Sequence, residues 1–260
     1  MEGSGSEEPG SGTGMGSPCP VCASPFTAYV RDVPTRRTKR QIPLHTCLSC
    51  HSFWNPSGYV EDEEQLERDL EWGIGVAERN ATAARRLFEL LGKRGIKPRS
   101  VAEIGCGIGT LLEVARDLGM DVTGYDVNER AIAYARAERG LDVSTEMWTA
   151  ETETPPIDLY LCISVLEHVP EPRPLLEDLC KAAKANKAAL FVSVPLLDQD
   201  KWPFLLDPDP YAEGTPFFDN DVHVTHFSSQ GLLTAIEGFG LEGAFPFAGG
   251  LWHGVAWNGT

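Results

Sequence analysis

The chain has 260 residues, of which 42% are hydrophobic and 23% charged; this length suits one large domain and a small satellite. Its net charge of -16 argues against nucleic acid as a partner, because nucleic-acid binders usually rely on a basic field. No apolar run approaches the ~18–20 residues that cross a bilayer, and the N-terminus lacks a signal pattern. We therefore expect a cytoplasmic protein with no membrane partner. The basic segment 31–40 is interpreted as a solvated loop, with a phosphate-contacting loop as the alternative.

The beginning of the chain divides into two parts. Residues 1–17 are rich in Gly, Ser and Glu and are predicted to be a disordered leader. Residues 18–60 carry two C-x-x-C pairs, formed by Cys19, Cys22, Cys47 and Cys50. Because tetrahedral Zn(II) favours four thiolates, the pairs predict a closed, structural zinc site. His45 and His51 flank the second pair and are alternative ligands.

A helical pattern follows this module. Apolar residues recur at spacings of three and four from Leu66 to Leu91, which predicts one long amphipathic helix. Gly73 and Gly75 weaken the pattern in its middle, and Gly92 marks its end.

Strand and helix patterns then alternate along the rest of the chain. Predicted helices cover 110–118, 129–139, 175–185 and 229–238, and predicted strands cover 100–104, 122–127, 141–147, 157–164, 188–194, 241–247 and 251–258. This alternation predicts an α/β fold with a parallel sheet covered by helices. A loop-rich insert at 196–222 interrupts the alternation.

A glycine-rich turn follows the first of these strands, in the sequence E-I-G-C-G-I-G-T from Glu103 to Thr110. Its spacing differs from the G-x-G-x-x-G of dinucleotide-binding turns, and the acidic Glu103 would repel a diphosphate but suit a cationic ligand. Asp126 ends the next strand, where a carboxylate can accept both hydroxyls of a ribose. Together these features predict a nucleoside ligand that carries positive charge and no diphosphate.

The stretch resembles class I S-adenosylmethionine (SAM)-dependent methyltransferases. E-I-G-C-G-I-G-T is similar to their first motif, G-Y-D at 124–126 to their second, and residues 157–169 to their fourth-strand motif. The resemblance covers residues 61–260 and implies a Rossmann-like seven-stranded sheet whose last strand runs antiparallel. The residues expected to bind SAM are Glu103, Gly105, Gly107, Gly109, Asp126, Val127, Glu146, Met147 and Ile163. Glu146 and Met147 are the expected adenine contacts, although their region departs from the commoner family pattern.

The segment 44–56 around the second cysteine pair resembles the zinc-ribbon segment of certain bacterial methyltransferases. Those enzymes act on sugars and other small metabolites. The resemblance therefore implies a small polar acceptor, such as a sugar or a biosynthetic intermediate. Two alternatives stay open: an RNA or protein methyltransferase that uses the ribbon to hold the macromolecule, and a non-catalytic SAM-binding protein.

Methyl transfer to oxygen or nitrogen usually needs a base, and histidine is the commonest. His168 follows the fourth strand at the carboxyl edge of the sheet, while His223 and His226 lie at the end of the insert. We expect residues 196–228, rich in aromatic and acidic side chains, to form a substrate-facing lid, with His226 slightly preferred as base. The alternatives are a surface loop that packs on the sheet and a second metal site on His223 and His226.

Overall fold

The computed structural model of the chain describes residues 17–34, 40–58, 63–197 and 222–259. Its helices are α1 Glu63–Gly75, α2 Ala77–Lys93, α3 Thr110–Asp117, α4 Glu129–Arg139, α5 Pro172–Asn186 and α6 Ser229–Gly238. Its strands are β1 Thr27–Pro34, β2 Gln41–Cys47, β3 Phe53–Trp54, β4 Ser100–Ile104, β5 Asp121–Tyr125, β6 Val143–Ser144, β7 Leu159–Ile163, β8 Ala189–Ser193, β9 Thr225–His226, β10 Phe245–Gly249 and β11 Trp252–Trp257.

Seven strands form one sheet in the order β10-β11-β8-β7-β4-β5-β6. The strands from β8 to β6 are mutually parallel, whereas β11 runs antiparallel to both β8 and β10. The predicted α/β class and the antiparallel last strand are therefore confirmed. All five residues of β7 are buried, as expected of a parallel strand that is covered on both faces.

The two faces of the sheet are covered by different helices. On one face, side chains such as Leu159 and Leu161 of β7 share a core with α2 and α3. On the other face, Tyr160 and Cys162 share a core with α5 and α6. This alternation along β7 follows from the period of two along a strand, and it leaves the carboxyl ends of the parallel strands free to line a site.

The single long helix predicted over 66–91 is wrong, since the structure has two helices, α1 and α2. The break lies at Val76, whose φ of -106° and ψ of 3° are not helical and whose side chain caps nothing. Gly73 and Gly75 close the last turn of α1, and glycine inside a helix costs about 1 kcal/mol relative to alanine. The apolar spacing continues across the break, which explains why the pattern alone predicts one helix.

A second, antiparallel sheet has the order β1-β2-β3-β9. We call residues 17–34 and 40–58, which carry β1 to β3, the cysteine ribbon. Its last strand pairs with β9 from the far end of the chain, with Phe53 opposite His226 and Trp54 opposite Thr225. The predicted domain boundary between residues 60 and 61 falls at 59–62, outside the described residues, and remains a prediction.

Several other sequence predictions also fall wholly or partly outside the described residues. They are the leader up to residue 16, residues 35–39 of the basic segment 31–40, and residues 198–221 of the insert, which include the aromatic and acidic side chains from Trp202 to Asp219. Within the described part of the chain, no helix has both the length and the apolar character needed to span a membrane.

Candidate functional site

An open cleft of about 1520 Å³ lies at the carboxyl ends of β4, β5 and β7. Its walls include the glycine turn after β4, the loop after β7, helix α1, and Val222 with His223 from the end of the insert. Open α/β sheets bind ligands at this edge, and the topology puts the predicted cofactor residues around one cavity, except Gly109, which does not line it. Two of the three candidate histidines line the same cavity.

The floor of the cleft is bare backbone of the glycine turn. Gly105 has a φ of 78°, and a Cβ there would lie 2.1 Å from Val165 Cγ2. Gly109, the N-cap of α3, has a φ of 75°, and its Cβ would lie 2.3 Å from Leu141 Cδ1. Positive φ and lack of space together require glycine at both positions. Helix α3 therefore begins directly under the cavity, where a ligand can approach its backbone closely.

Two carboxyl groups stand at this floor, Glu103 buried and Asp126 partly buried. Glu103 is 3% exposed, and its Oε2 has no hydrogen-bond partner among the described residues. Asp126 accepts hydrogen bonds from the amides of Gly107 at 2.7 Å and Asn128 at 2.8 Å. Burial raises the pKa of both groups, and the nearby charge of Asp126 raises the pKa of Glu103 further. A cationic ligand would relieve this repulsion and stabilise both charged forms.

Helix α1 forms a wall of the cleft that the sequence analysis did not assign to the site. Gln65, Asp69 and Trp72 line the cavity. The Gln65 side chain donates a hydrogen bond to Asp69 at 2.7 Å, and Asp69 raises the pKa of both Asp126 and His168. Asp69 therefore lies within electrostatic reach of the floor and of the loop after β7, and it adds a third acidic group.

The other predicted cofactor residues also line the cleft. Val127 follows Asp126, Ile163 ends β7, and Glu146 and Met147 lie beyond β6. Met147 is 70% exposed, so it offers an uncovered apolar surface beside the cavity. Cys106 is buried within the turn, and burial raises its thiol pKa, as for a small residue that fills the turn rather than a nucleophile.

Ser164, the first residue after β7, was not singled out from the sequence. It lines the cleft with a φ of 56°, and its amide donates to the Ser193 carbonyl at 2.8 Å. A positive φ at a residue other than glycine, asparagine or aspartate is uncommon, and such strain concentrates at functional sites. A single sequence carries no signal for it.

The three candidate histidines lie side by side, but only two of them line the cavity. The ring centroids of His168 and His223 are 4.8 Å apart, and those of His223 and His226 are 6.4 Å apart. His168 and His223 line the cleft, whereas His226 is 3% exposed and lies in β9 behind them. The geometry therefore does not support the preference for His226.

Burial keeps all three imidazoles neutral. Desolvation lowers the pKa of His223 to about 3 and that of His226 to about 4, and the other two histidines lower the pKa of His223 further. Desolvation also lowers the pKa of His168, although Asp69 and the Val222 backbone partly oppose this effect. Since a neutral imidazole can accept a proton and His168 both lines the cleft and has Asp69 opposing its desolvation, His168 is the best placed base of the three.

Glu167 adds an unexpected acid next to this cluster. Its side chain is 2% exposed, and neither carboxylate oxygen has a hydrogen-bond partner among the described residues. Burial raises its pKa from 4.5 to about 8. Its Oε1 lies 4.0 Å from His168 Nε2, and Glu167, His168 and His223 offer ligand atoms within 4.8 Å of one another. His226 is not part of that group.

The four cysteines of the ribbon come together as predicted. Their Sγ atoms lie within 4.8 Å of one another, with Cys19–Cys50 at 3.7 Å and Cys22–Cys47 at 3.6 Å. Thiolates about 2.3 Å from a tetrahedral zinc are about 3.8 Å apart, so the spacing fits the metal. Four backbone amides point at the sulfur atoms of Cys19 and Cys47 from 3.4–3.5 Å, which favours thiolates. His45 and His51 are not in this group.

A family model described as a methyltransferase domain matches residues 76–244. The chain belongs to this family. The matched region runs from the start of α2 past α6, and it contains the glycine turn, Asp126 and all three histidines.

Known proteins support the same family. The ubiquinone biosynthesis O-methyltransferase of Paraburkholderia phymatum is 39% identical to this methyltransferase over 139 residues, which are 50% of this chain and 52% of that protein. The enzyme of the same name from Azoarcus sp. (strain BH72) is 34% identical over 113 residues, 41% of this chain and 48% of that one. The chain thus matches about half the length of these curated relatives.

Two solved structures share the fold. An O-methyltransferase family protein from Burkholderia thailandensis superposes with a TM-score of 0.56 at 14% identity, over 76% of this chain and 60% of that one. Human N-acetylserotonin methyltransferase in complex with SAM gives a TM-score of 0.55 at 17% identity, over 75% and 56% of the two chains. At these identities the likeness supports the class I methyltransferase fold.

Proposed function

We propose that the protein transfers a methyl group from SAM to a hydroxyl group of a small polar acceptor. The observation that carries the proposal is one cleft with the carboxyl groups of Glu103 and Asp126 at its floor and His168, whose pKa is lowered by desolvation, beside them. The relatives that are named O-methyltransferases support oxygen as the acceptor atom. When bound, SAM supplies an electrophilic methyl group on a sulfonium.

The residues that would hold SAM fit its charge and shape. Glu103, Asp126 and Asp69 give this end of the cleft a negative potential, which suits a ligand with a sulfonium and an ammonium group. Asp126 would accept the ribose hydroxyls, and the bare backbone of Gly105, Gly107 and Gly109 would admit the methionine part. Val127, Ile163, Glu146 and Met147 remain the proposed flanking contacts.

His168 would take the acceptor's proton. It lies one residue beyond Glu167 on the loop after β7, adjoining the cofactor end of the cleft. His223 packs against it edge-on and, with a pKa of about 3, would orient the acceptor in its neutral form rather than remove a proton. His226, buried in β9, would support His223 from behind.

The same cluster supports a second way to activate the acceptor. Glu167, His168 and His223 could together bind a divalent cation, which would lower the pKa of a bound hydroxyl. The observation that favours this alternative is the Glu167 carboxylate, buried with both oxygens lacking a hydrogen-bond partner in the described part of the chain. Titration of the zinc-loaded protein with Mn²⁺, followed by electron paramagnetic resonance, distinguishes the cation from the His168 base. Mn²⁺ binding that is present in the wild type and lost in Glu167→Gln supports the cation.

We also propose that the cysteine ribbon holds one structural zinc on Cys19, Cys22, Cys47 and Cys50. Four protein ligands close the coordination shell, so this metal would stabilise the fold and take no part in methyl transfer. The sulfur spacing and the amide hydrogen bonds to the sulfur atoms support it.

The proposed activity is tested with SAM labelled in its methyl group. The purified protein is incubated with a small-metabolite extract and, separately, with total RNA and with protein from the same cells. Label in the small-molecule fraction that disappears in His168→Gln supports the proposal. Label that appears in RNA or protein instead would overturn the small-acceptor assignment in favour of the macromolecular alternative.

A further inference from the structure

The cysteine ribbon is joined to the acceptor side of the cleft by a buried network of hydrogen bonds. The Ser228 hydroxyl donates to the Cys50 carbonyl, and the Ser228 amide donates to Ser52 Oγ at 3.2 Å. Ser52 Oγ also lies 3.4 Å from the sulfur of Cys50. The Cys50 sulfur, a proposed metal ligand, is thus connected through Ser52 Oγ to the Ser228 amide. Ser228 lies two positions after His226.

Ser228 also begins the helix that follows the histidine segment. It is the N-cap of α6, and its hydroxyl accepts the Gly231 amide at 2.8 Å. The helix meets the ribbon closely at this point, since a Cβ on Gly231 would lie 2.5 Å from Ser52 Oγ and 3.2 Å from Cys50 Sγ. The start of α6 and the metal site therefore pack without space for even one methyl group.

The segment 222–228 is fixed from both sides. The amides of Val224 and Thr225 donate to the Glu167 carbonyl at 2.8 and 3.2 Å, which ties the segment to the loop after β7. On the ribbon side, β9 pairs with β3, and the Asn55 amide donates to the Val224 carbonyl at 2.8 Å. Because β9 has only two residues, its place depends on both partners.

From these contacts we propose that Ser52 and Ser228 are positioning residues, through which the four-cysteine metal site holds the histidine segment 222–228 against the cleft. The inference rests on the proposed zinc site and on the proposed acceptor-side role of His223. Metal occupancy then controls the order of the acceptor wall, while the cofactor floor, built on β4 and β5, does not depend on it.

Hydrogen–deuterium exchange of the full chain tests the inference. With zinc bound, the amides of 222–228 should exchange slowly, and removal of the metal by a chelator should make them exchange faster. In Ser228→Ala with its zinc retained, they should exchange about 2- to 30-fold faster, because the helix loses its N-cap. Ser228→Thr should restore slow exchange, because threonine also caps helices. The affinity for S-adenosylhomocysteine, measured by calorimetry, should change less than about twofold in all these forms.

Two matched controls separate positioning from general loosening. Ser24→Ala removes a hydroxyl of the same ribbon whose partners in the described part of the chain are exposed, namely Ser49 Oγ at 2.7 Å and the Phe26 amide. It should leave the exchange of 222–228 unchanged. Gly231→Ala should mimic Ser228→Ala, whereas Gly238→Ala, in open space on the same helix, should not.

The inference is overturned if chelation leaves exchange in 222–228 unchanged, or if Ser228→Ala behaves like Ser24→Ala. Elemental analysis that finds no zinc would overturn it together with the zinc site. Failure of the proposed methyl transfer would instead appear as no labelled product from the zinc-loaded protein while the amides of 222–228 still respond to chelation, so the two failures are distinguishable.

Discussion

Replacement of Glu167 by glutamine should make the protein more stable at alkaline pH. The carboxyl is buried, and its pKa is raised from 4.5 to about 8. A group whose pKa is higher in the folded state favours folding when it is protonated, and this contribution is lost as pH rises from about 4.5 through about 8. Across these 3.5 pKa units the loss reaches about 5 kcal/mol, at about 1.4 kcal/mol per unit.

The measurement is the free energy of unfolding from urea titrations at pH 5, 6, 7 and 8. Glu167→Gln keeps the shape of the protonated side chain, so it should match the wild type near pH 5 and exceed it by up to about 5 kcal/mol at pH 8. Glu242→Gln, at an exposed position, should follow the wild type throughout. Equal pH dependence in Glu167→Gln and the wild type, or lower stability of the variant at pH 8, would refute the burial argument.

Other variants test the cofactor floor, the metal site and the base. Asp126→Ala should weaken S-adenosylhomocysteine binding by about 2–4 kcal/mol in calorimetry, because two hydrogen bonds to a charged acceptor are lost; unchanged affinity would remove Asp126 from the site. The wild type should carry about one zinc by elemental analysis, and Cys47→Ser should lose it, whereas Cys180→Ser, in the core outside the cluster, should keep it. His168→Gln should lower turnover by ~10²–10⁴-fold at unchanged cofactor affinity. Wild-type turnover should fall as the pH drops through the His168 pKa, which is lowered below 6.5. If the variant turns over as fast as the wild type, His168 is structural.

Most of the sheet could be predicted because its strands carry strong local patterns. β7 is apolar along its whole length, and the helices α3 and α4 follow strands at short intervals. Gly105 and Gly109 are required by their backbone conformation and close packing. The glycine motif at 103–110, which predicts the SAM ligand, therefore also predicts the tight turn between β4 and α3. The strand predicted over 141–147 is too long, since only Val143 and Ser144 of β6 pair with β5.

The parts of the site that escaped prediction depend on contacts between distant segments. The sequence shows α1 as an amphipathic helix, but it does not show that Asp69 faces the cavity, because that depends on where the helix crosses the sheet. Glu167 and Ser164 lie within a recognised motif, yet an isolated carboxyl and a strained backbone are visible only in three dimensions. The preference for His226 as base remains a prediction, although the structure places its buried side chain outside the cleft lining, which a sequence cannot show.

The packing of the cysteine ribbon against β9 and α6 links the proposed metal site to the stability of the whole chain. A metal site of this kind contributes on the order of 10 kcal/mol to folding, and a module of this size has little core of its own. Here Cys19, Cys47 and Cys50 share one apolar core with Phe227 and Leu232, and β9 covers the edge of β3 that would otherwise be exposed. The free energy of the proposed zinc binding would therefore not be confined to the ribbon. Loss of zinc should loosen the acceptor wall first, and cofactor binding should outlast it.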